Sequence, residues 1–230
     1  MMPGYATKQE CIAVAGVADL QIRSLLDRQQ FSDPLGHALR VGISSATWPI
    51  FGLLWPSGAR LAQRLAMRGV LPGERVLELG CGLGLPSLVG HRLGLDMTAS
   101  DSHPLASRFL RANLRLNALA PMKYRHGAWN APEPGPAAPH STTLRGRYDL
   151  LIGSDLLYDR DASSALAGFI GRHANAQSEI WIVDPDRGNR AAFSRQMQGL
   201  GFACTQERLD SPASAAHPAY KGRLLTYVRA

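Results

Sequence analysis

An α/β fold, built on a doubly wound and mostly parallel sheet, is predicted by three observations. Strand and helix patterns alternate from residue 74 to the end of the chain, a glycine-rich turn follows the first of those strands directly, and an acid closes the next one. Alternation of this kind lays helices on both faces of the sheet through right-handed crossovers. Strand patterns fall at 74–79, 95–100, 122–127, 147–153, 178–183, 203–209 and 222–229, so the expected sheet is Rossmann-like and seven-stranded.

Residues 1–55 read as a separate N-terminal arm or cap, ahead of a domain over 56–230. In the arm, an amphipathic helix is expected over 18–30, then a turn at Ser32-Asp33-Pro34-Leu35-Gly36. The segment 45–56 holds two of the four tryptophans, Trp48 and Trp55, next to prolines that prevent a regular helix. Such a rigid apolar loop either roofs a pocket or packs the arm on the domain. Ser57 is expected to cap a helix over 57–68, which Gly69 and Leu71-Pro72-Gly73 end. Helices are then expected over 85–93, 104–118, 161–173 and 189–200, between the strands. The run 131–146, with prolines at 132, 134, 136 and 139, reads as an irregular surface loop. A polar loop without a helix joins the last two strands, so these should pair as an antiparallel hairpin.

At 230 residues the chain fits one such domain and the arm, and it can bury roughly 70% of its unfolded surface. The cysteines, Cys11, Cys81 and Cys204, are odd in number and lack any Cys-x-x-Cys pair, which argues against a disulfide framework and a zinc site. No apolar stretch approaches the ~20 residues that span a bilayer, and no charged start leads into an apolar run. The expectation is a soluble cytoplasmic protein without a membrane partner, a monomer or weak dimer. The net charge of +7 comes from arginines spread along the whole length, with lysine only at positions 8, 123 and 221. Without a basic block, nucleic acid is not the expected partner.

The stretch Val76-Leu77-Glu78-Leu79-Gly80-Cys81-Gly82-Leu83-Gly84-Leu85 carries the strongest chemical signal. Glycines without Cβ let the backbone bend after a strand and touch a ligand, and the following helix offers free N–H groups. A dinucleotide loop would want Gly-x-Gly-x-x-Gly, but position 85 is Leu and the third glycine falls one residue early, at Gly84. Glu78 just before the loop suits a cationic or amine-bearing ligand. Asp101 ends the second strand, 101 − 80 = 21 residues after the first glycine, close to the ~20 expected of an acid that holds ribose hydroxyls. A tight turn without a ligand is the competing reading of the glycines alone.

With these pieces, and with Leu54-Trp55-Pro56-Ser57-Gly58, Ala128-Trp129 and Asp155-Leu156-Leu157-Tyr158, the chain resembles the class I S-adenosylmethionine (SAM)-dependent methyltransferases. Within them it resembles the seven-strand protein lysine methyltransferases, which include the enzymes acting on the electron-transfer flavoprotein β subunit and on valosin-containing protein. The resemblance covers residues 45–230, and the Asp-x-x-Tyr sequence is what points to this branch. It implies that SAM lies against Glu78, Gly80, Cys81, Gly82 and Gly84, with Asp101 on the ribose and Trp129 beside the adenine. Trp55, Ala128 and Ser154 complete the implied cofactor contacts. Ala128 departs from the family, which commonly has Asp there. Trp129 could instead be an ordinary packing residue.

The resemblance implies Asp155 and Tyr158 as the catalytic pair. Asp155 could orient a substrate ammonium and the Tyr158 ring could support the cation; as a helix N-cap, Asp155 would have a structural role as well. The Asn-Pro-Pro-Tyr tetrad that grips planar amides and adenine amines is absent. Asp184 and Arg187, in the polar loop after the fifth strand, are candidates for acceptor contacts, with Asn189 a candidate cap for the next helix. His103 reads as capping its own helix, and nothing nearby forms a metal site. The expected function is N-methylation of a protein lysine side chain by a SAM-dependent methyltransferase, leaving S-adenosylhomocysteine. The alternatives are a small-molecule amine N-methyltransferase and a non-catalytic binding module that kept the fold.

Overall fold

The computed structural model describes residues 4–130, 142–158, 160–213 and 219–229. Most of the expected proline-rich loop, at 131–141, and the stretch 214–218 before the last strand lie outside the described residues.

The arm is a β-hairpin, not the expected helix. β1 (Thr7–Ile12) pairs antiparallel with β2 (Leu20–Leu25), Thr7 opposite Leu25 and Ile12 opposite Leu20. Ala18, Ile22, Leu25 and Leu26 fit one face of a helix, whereas Leu20-Gln21-Ile22 shows the alternation of a strand. Tertiary packing decides between them: Leu20, Ile22 and Leu25 are all fully buried, and each such burial contributes about 1.5–3 kcal/mol. Two asparagine side chains from a neighbouring helix then bond the strand backbone. Asn117 Oδ1 accepts the Gln21 N–H at 2.8 Å and its Nδ2 donates to the Gln21 carbonyl at 2.8 Å. Asn113 Oδ1 likewise accepts the Arg23 N–H at 2.8 Å, and its Nδ2 reaches the Arg23 carbonyl at 3.4 Å.

A one-turn helix, α1 (His37–Arg40), and a 3-10 turn at Trp48–Gly52 carry the chain onto the domain. Trp48 is buried among Tyr5, Phe31, Phe51 and His103, ring centroids 5.5–5.8 Å away. The next helix, α2 (Pro56–Ala66), begins one residue before the expected cap, with Trp55 in the capping position. Pro56 explains the shift, because its fixed φ and missing N–H suit the first helical residue. Ser57 therefore lies inside the helix, buried, with its hydroxyl 3.0 Å from that of Tyr220.

Five parallel strands follow: β3 (Arg75–Leu79), β4 (Asp96–Asp101), β5 (Lys123–His126), β6 (Tyr148–Ser154) and β7 (Ala174–Asp184). β8 (Ala203–Arg208) and β9 (Arg223–Arg229) close the sheet, β9 running antiparallel to both β7 and β8. The order is β5-β4-β3-β6-β7-β9-β8, as expected of the seven-stranded α/β layout with its terminal hairpin. The crossovers are α3 (Leu85–Arg92), α4 (Ala106–Leu116), α5 (Arg160–His173) and α6 (Arg190–Gly199). Alternate residues of one strand feed opposite layers. Leu77 and Leu79 of β3 pack with Leu166, Ile170, Phe193 and Met197 of α5 and α6, whereas Val76 packs with Leu61 and Leu65 of α2. Among the described residues no helix is long and apolar enough to cross a membrane.

From β3 the chain winds outward through β4 and β5, then returns to add β6 and β7 on the other side of β3. At such a reversal the crossovers diverge and leave a crevice beyond the carboxyl ends of β3 and β6, where ligands of open α/β sheets bind.

Candidate active site

The glycine loop leaves β3 at this crevice. Gly80, Gly82 and Gly84 all have positive φ, at 56°, 50° and 77°, a region that costs other residues about 1–2 kcal/mol. At Gly82 space is limiting as well: a Cβ there would lie 2.6 Å from the carbonyl oxygen of Phe51. Backbone bonds fix the loop, the Cys81 N–H donating to Ser100 O at 2.9 Å and the Gly84 N–H to Cys81 O at 2.7 Å. Cys81 is buried, which raises its thiol well above the ordinary value.

Asp101 serves this loop directly. Its Oδ2 accepts the Gly82 N–H at 2.8 Å and its Oδ1 the His103 N–H at 2.7 Å. A carboxylate has about four lone-pair sites, so two bonds leave acceptor capacity on each oxygen. Burial raises its pKa, partly countered by the N–H groups of His103 and Gly82. His103 is itself buried. Its Nδ1 accepts the Leu105 N–H at 3.2 Å, in the turn entering α4, while Nε2 has no partner among the described residues. Its ring stacks on Phe51 with centroids 3.6 Å apart, and burial depresses its pKa to about 3. Phe51 thus joins the arm to both halves of the expected cofactor site. The sequence reading missed Phe51; its one signal was membership of the proline-flanked aromatic segment.

Glu78 does not present a free anion to the crevice. It is buried, its Oε2 accepting the Ser87 N–H at 2.9 Å and also the Ser87 hydroxyl, at the first turn of α3. Burial pushes its pKa from 4.5 to about 8. The folded state therefore keeps a proton that the unfolded chain releases, and this group's contribution to stability falls as pH rises from about 4.5 to about 8. Glu78→Gln keeps an acceptor for Ser87 and has no proton to lose. Its melting temperature should gain on the wild type steadily from pH 5 to pH 8, and parallel Tm-versus-pH curves for the two proteins would refute this.

Of the remaining expected cofactor residues, Trp129 stands beside the glycine loop. Trp129 is half-buried, and a Cβ built on Gly80 would stand 3.6 Å from its Cζ2. Ala128 beside it is half-buried. Trp55 donates its indole N–H to Ile50 O at 2.9 Å, and the Arg28 guanidinium stands 5.0 Å from its ring centroid. The Ser154 hydroxyl oxygen lies 3.5 Å from where a Cβ on Gly58 would be.

Across the switch point, Asp155 follows the last residue of β6, at φ 60° with its N–H donating to Val183 O at 2.8 Å. It does not cap α5, which begins five residues on at Arg160. Its carboxylate instead takes Arg187, Nε and Nη2 lying 2.7 and 2.6 Å from Oδ1. The Arg187 N–H donates to Asp184 Oδ2 at 3.0 Å. Asp184 is fully buried, its Oδ1 has no partner among the described residues, and burial pushes its pKa up to about 6. Tyr158 is 51% exposed beyond the strand end. Asn189 occupies the position before α6 without a side-chain cap bond; its Nδ2 donates to Leu157 O at 2.9 Å, tying the loop after β7 to the loop after β6. No group of His, Cys, Asp and Glu among the described residues could hold a metal ion.

A sequence model of a family described as lysine methyltransferase matches residues 44–198. The electron transfer flavoprotein beta subunit lysine methyltransferase of Xenopus laevis is 28% identical over 149 residues, 64% of this chain and 55% of that protein. The histone-arginine methyltransferase METTL23 of Rattus norvegicus is 31% identical over 133 residues, 56% of each chain. The chain thus spans little more than half the length of these relatives. Among solved structures, SAM-bound magnesium protoporphyrin IX methyltransferase from Synechocystis PCC 6803 shares the fold. Its TM-score is 0.57 at 19% identity, over 76% of this chain and 78% of that one.

Proposed function

We propose, from the premise that the chain belongs to the lysine methyltransferase family, that it transfers a methyl group from SAM to the side-chain nitrogen of a lysine in a protein. The observation that carries the acceptor class is Asp155, a largely buried carboxylate at the carboxyl end of β6 that already binds a cationic nitrogen group. SAM fits the residues on the other side of the switch point. The loop at Gly80–Gly84 allows backbone approach, Asp101 has acceptor capacity for ribose hydroxyls, and Trp129 offers an aromatic face beside Gly80. When bound, SAM supplies an electrophilic methyl group on a sulfonium.

The chain's own part is alignment. Direct displacement at carbon asks for a nucleophile held in line and stripped of water rather than for a strong base. Asp155 orients the acceptor ammonium, and the Tyr158 ring supports the cation. A lysine with an ordinary pKa near ~10.4 must still release a proton before it attacks. Asp155, fixed at its backbone and mostly buried, receives or relays that proton. Residues 1–55 are read as the arm that closes over the cofactor side, through Phe51 on Gly82.

Calorimetric titration with SAM and with S-adenosylhomocysteine tests the cofactor half. Micromolar binding is expected for the wild type and its loss for Asp101→Ala, because both the ribose acceptor and the Gly82 anchor go. Tritiated methyl transfer to lysate proteins, followed by acid hydrolysis, tests the acceptor: methyllysine supports the reading. Methylarginine, an acid-soluble product, or SAM binding without transfer would move it to an arginine, a small amine or a binding module respectively.

A further inference from the structure

Arg187 is held at both ends by carboxylates. Asp184 takes its backbone N–H and Asp155 its guanidinium. The two sides of the ion pair differ in freedom: the Arg187 side chain is 39% exposed and that of Asp155 is 11% exposed. Asp155 is further fixed by its left-handed backbone and its bond to Val183 O, so it cannot follow a departing partner. The guanidinium can move into water; the carboxylate cannot. If it does leave, the Asp155 carboxylate loses its cation in a partly buried site, with the fully buried Asp184 bonded to the backbone of the same loop. Uncompensated carboxylates in a partly buried site strongly favour a replacement cation.

We propose that Arg187 is a specificity-determining stand-in for the acceptor's ammonium: it fills the Asp155 site in the resting protein, and only a nitrogen that arrives charged displaces it. This rests on the reading of Asp155 as the acceptor site. The exchange is cation for cation, so charge balance in the pocket is kept throughout. A neutral amide, alcohol or aromatic amine brings no charge to compensate Asp155 and is excluded at the first step. Arg187 thereby sets a threshold that acceptors must exceed, at the cost of apparent affinity for every acceptor.

The test uses the full chain labelled with nitrogen-15 at arginine, titrated at pH 7 with n-butylammonium chloride and, as a neutral control, n-butanol. The Arg187 Nε–H signal, assigned by its absence in Arg187→Gln, should shift or broaden with butylammonium and ignore butanol. Arg187→Gln should bind butylammonium about tenfold more tightly than the wild type, and Asp155→Asn should not bind it. An Arg187 signal indifferent to butylammonium, or equal binding by the wild type and Arg187→Gln, overturns the proposal. SAM calorimetry on the same samples separates the two readings. Displacement of Arg187 without SAM binding would leave the stand-in intact and remove the methyltransferase reading; SAM binding without displacement would do the reverse.

Discussion

Gly82→Ala should lose SAM binding by more than tenfold and destabilise the fold by about 2–4 kcal/mol. Two separate costs combine. Alanine at a φ of 50° is strained, and its Cβ would stand 2.6 Å from the Phe51 carbonyl oxygen, so backbone must shift. That shift would pull the Gly82 N–H from Asp101 and the Phe51 ring from His103. Gly94→Ala is the control: its φ is 88° and nothing lies within 4 Å of the added Cβ, so it should cost only the conformational strain of about 1–2 kcal/mol and leave SAM binding alone. Chemical denaturation and calorimetry on both variants would decide the matter. Equal losses in the two would mean that only backbone conformation matters and that the Phe51 contact is incidental.

Asp155→Asn should reduce methyl transfer about a hundredfold, a typical cost of a misplaced reacting group, with SAM affinity unchanged within twofold. The substitution preserves shape, and Asn tolerates the left-handed conformation found here, so misfolding is not the expected cause of the loss. What it removes is the charge that holds a cationic nitrogen. Steady-state transfer to the acceptor identified by hydrolysis is the measurement, and wild-type turnover in the variant would end the case for Asp155.

The strand, glycine loop and helix around Gly80–Gly84 could be read from sequence because everything that shapes them is local. The mostly parallel sheet with its antiparallel last pair followed from alternation, and most elements fall within two residues of expectation, although the order of the strands was not read from sequence. What was missed depends on partners far along the chain. Ser57 looked like a cap, but its hydroxyl meets Tyr220, 163 residues on, and Pro56 was the available sign that the helix starts earlier. Glu78 was singled out for its charge, and no sequence pattern shows that Ser87 bonds its Oε2. Asp155 and Arg187 were each singled out, 32 residues apart; no sequence pattern shows that they neutralise each other. The hairpin was misread as a helix because Ala18, Ile22, Leu25 and Leu26 satisfy the helical period while Leu20 and Ile22 satisfy the strand period, and only the surface they land on separates the two.

That surface has a property of its own. Asn113 on α4 and Asn117 at its carboxyl-terminal cap stand one turn apart, about 6 Å along the helix axis, and they engage Arg23 and Gln21, two residues apart on β2, about 6.6 Å along the strand. The near match of the two spacings makes the asparagines a two-pronged plug and the strand its socket. A strand displaced by one residue would present neither socket at the right place and would turn Leu20 and Ile22 outward. The hairpin is thereby addressed to a single seat on the domain, and Asn113→Leu or Asn117→Leu would leave its stickiness intact while erasing the address.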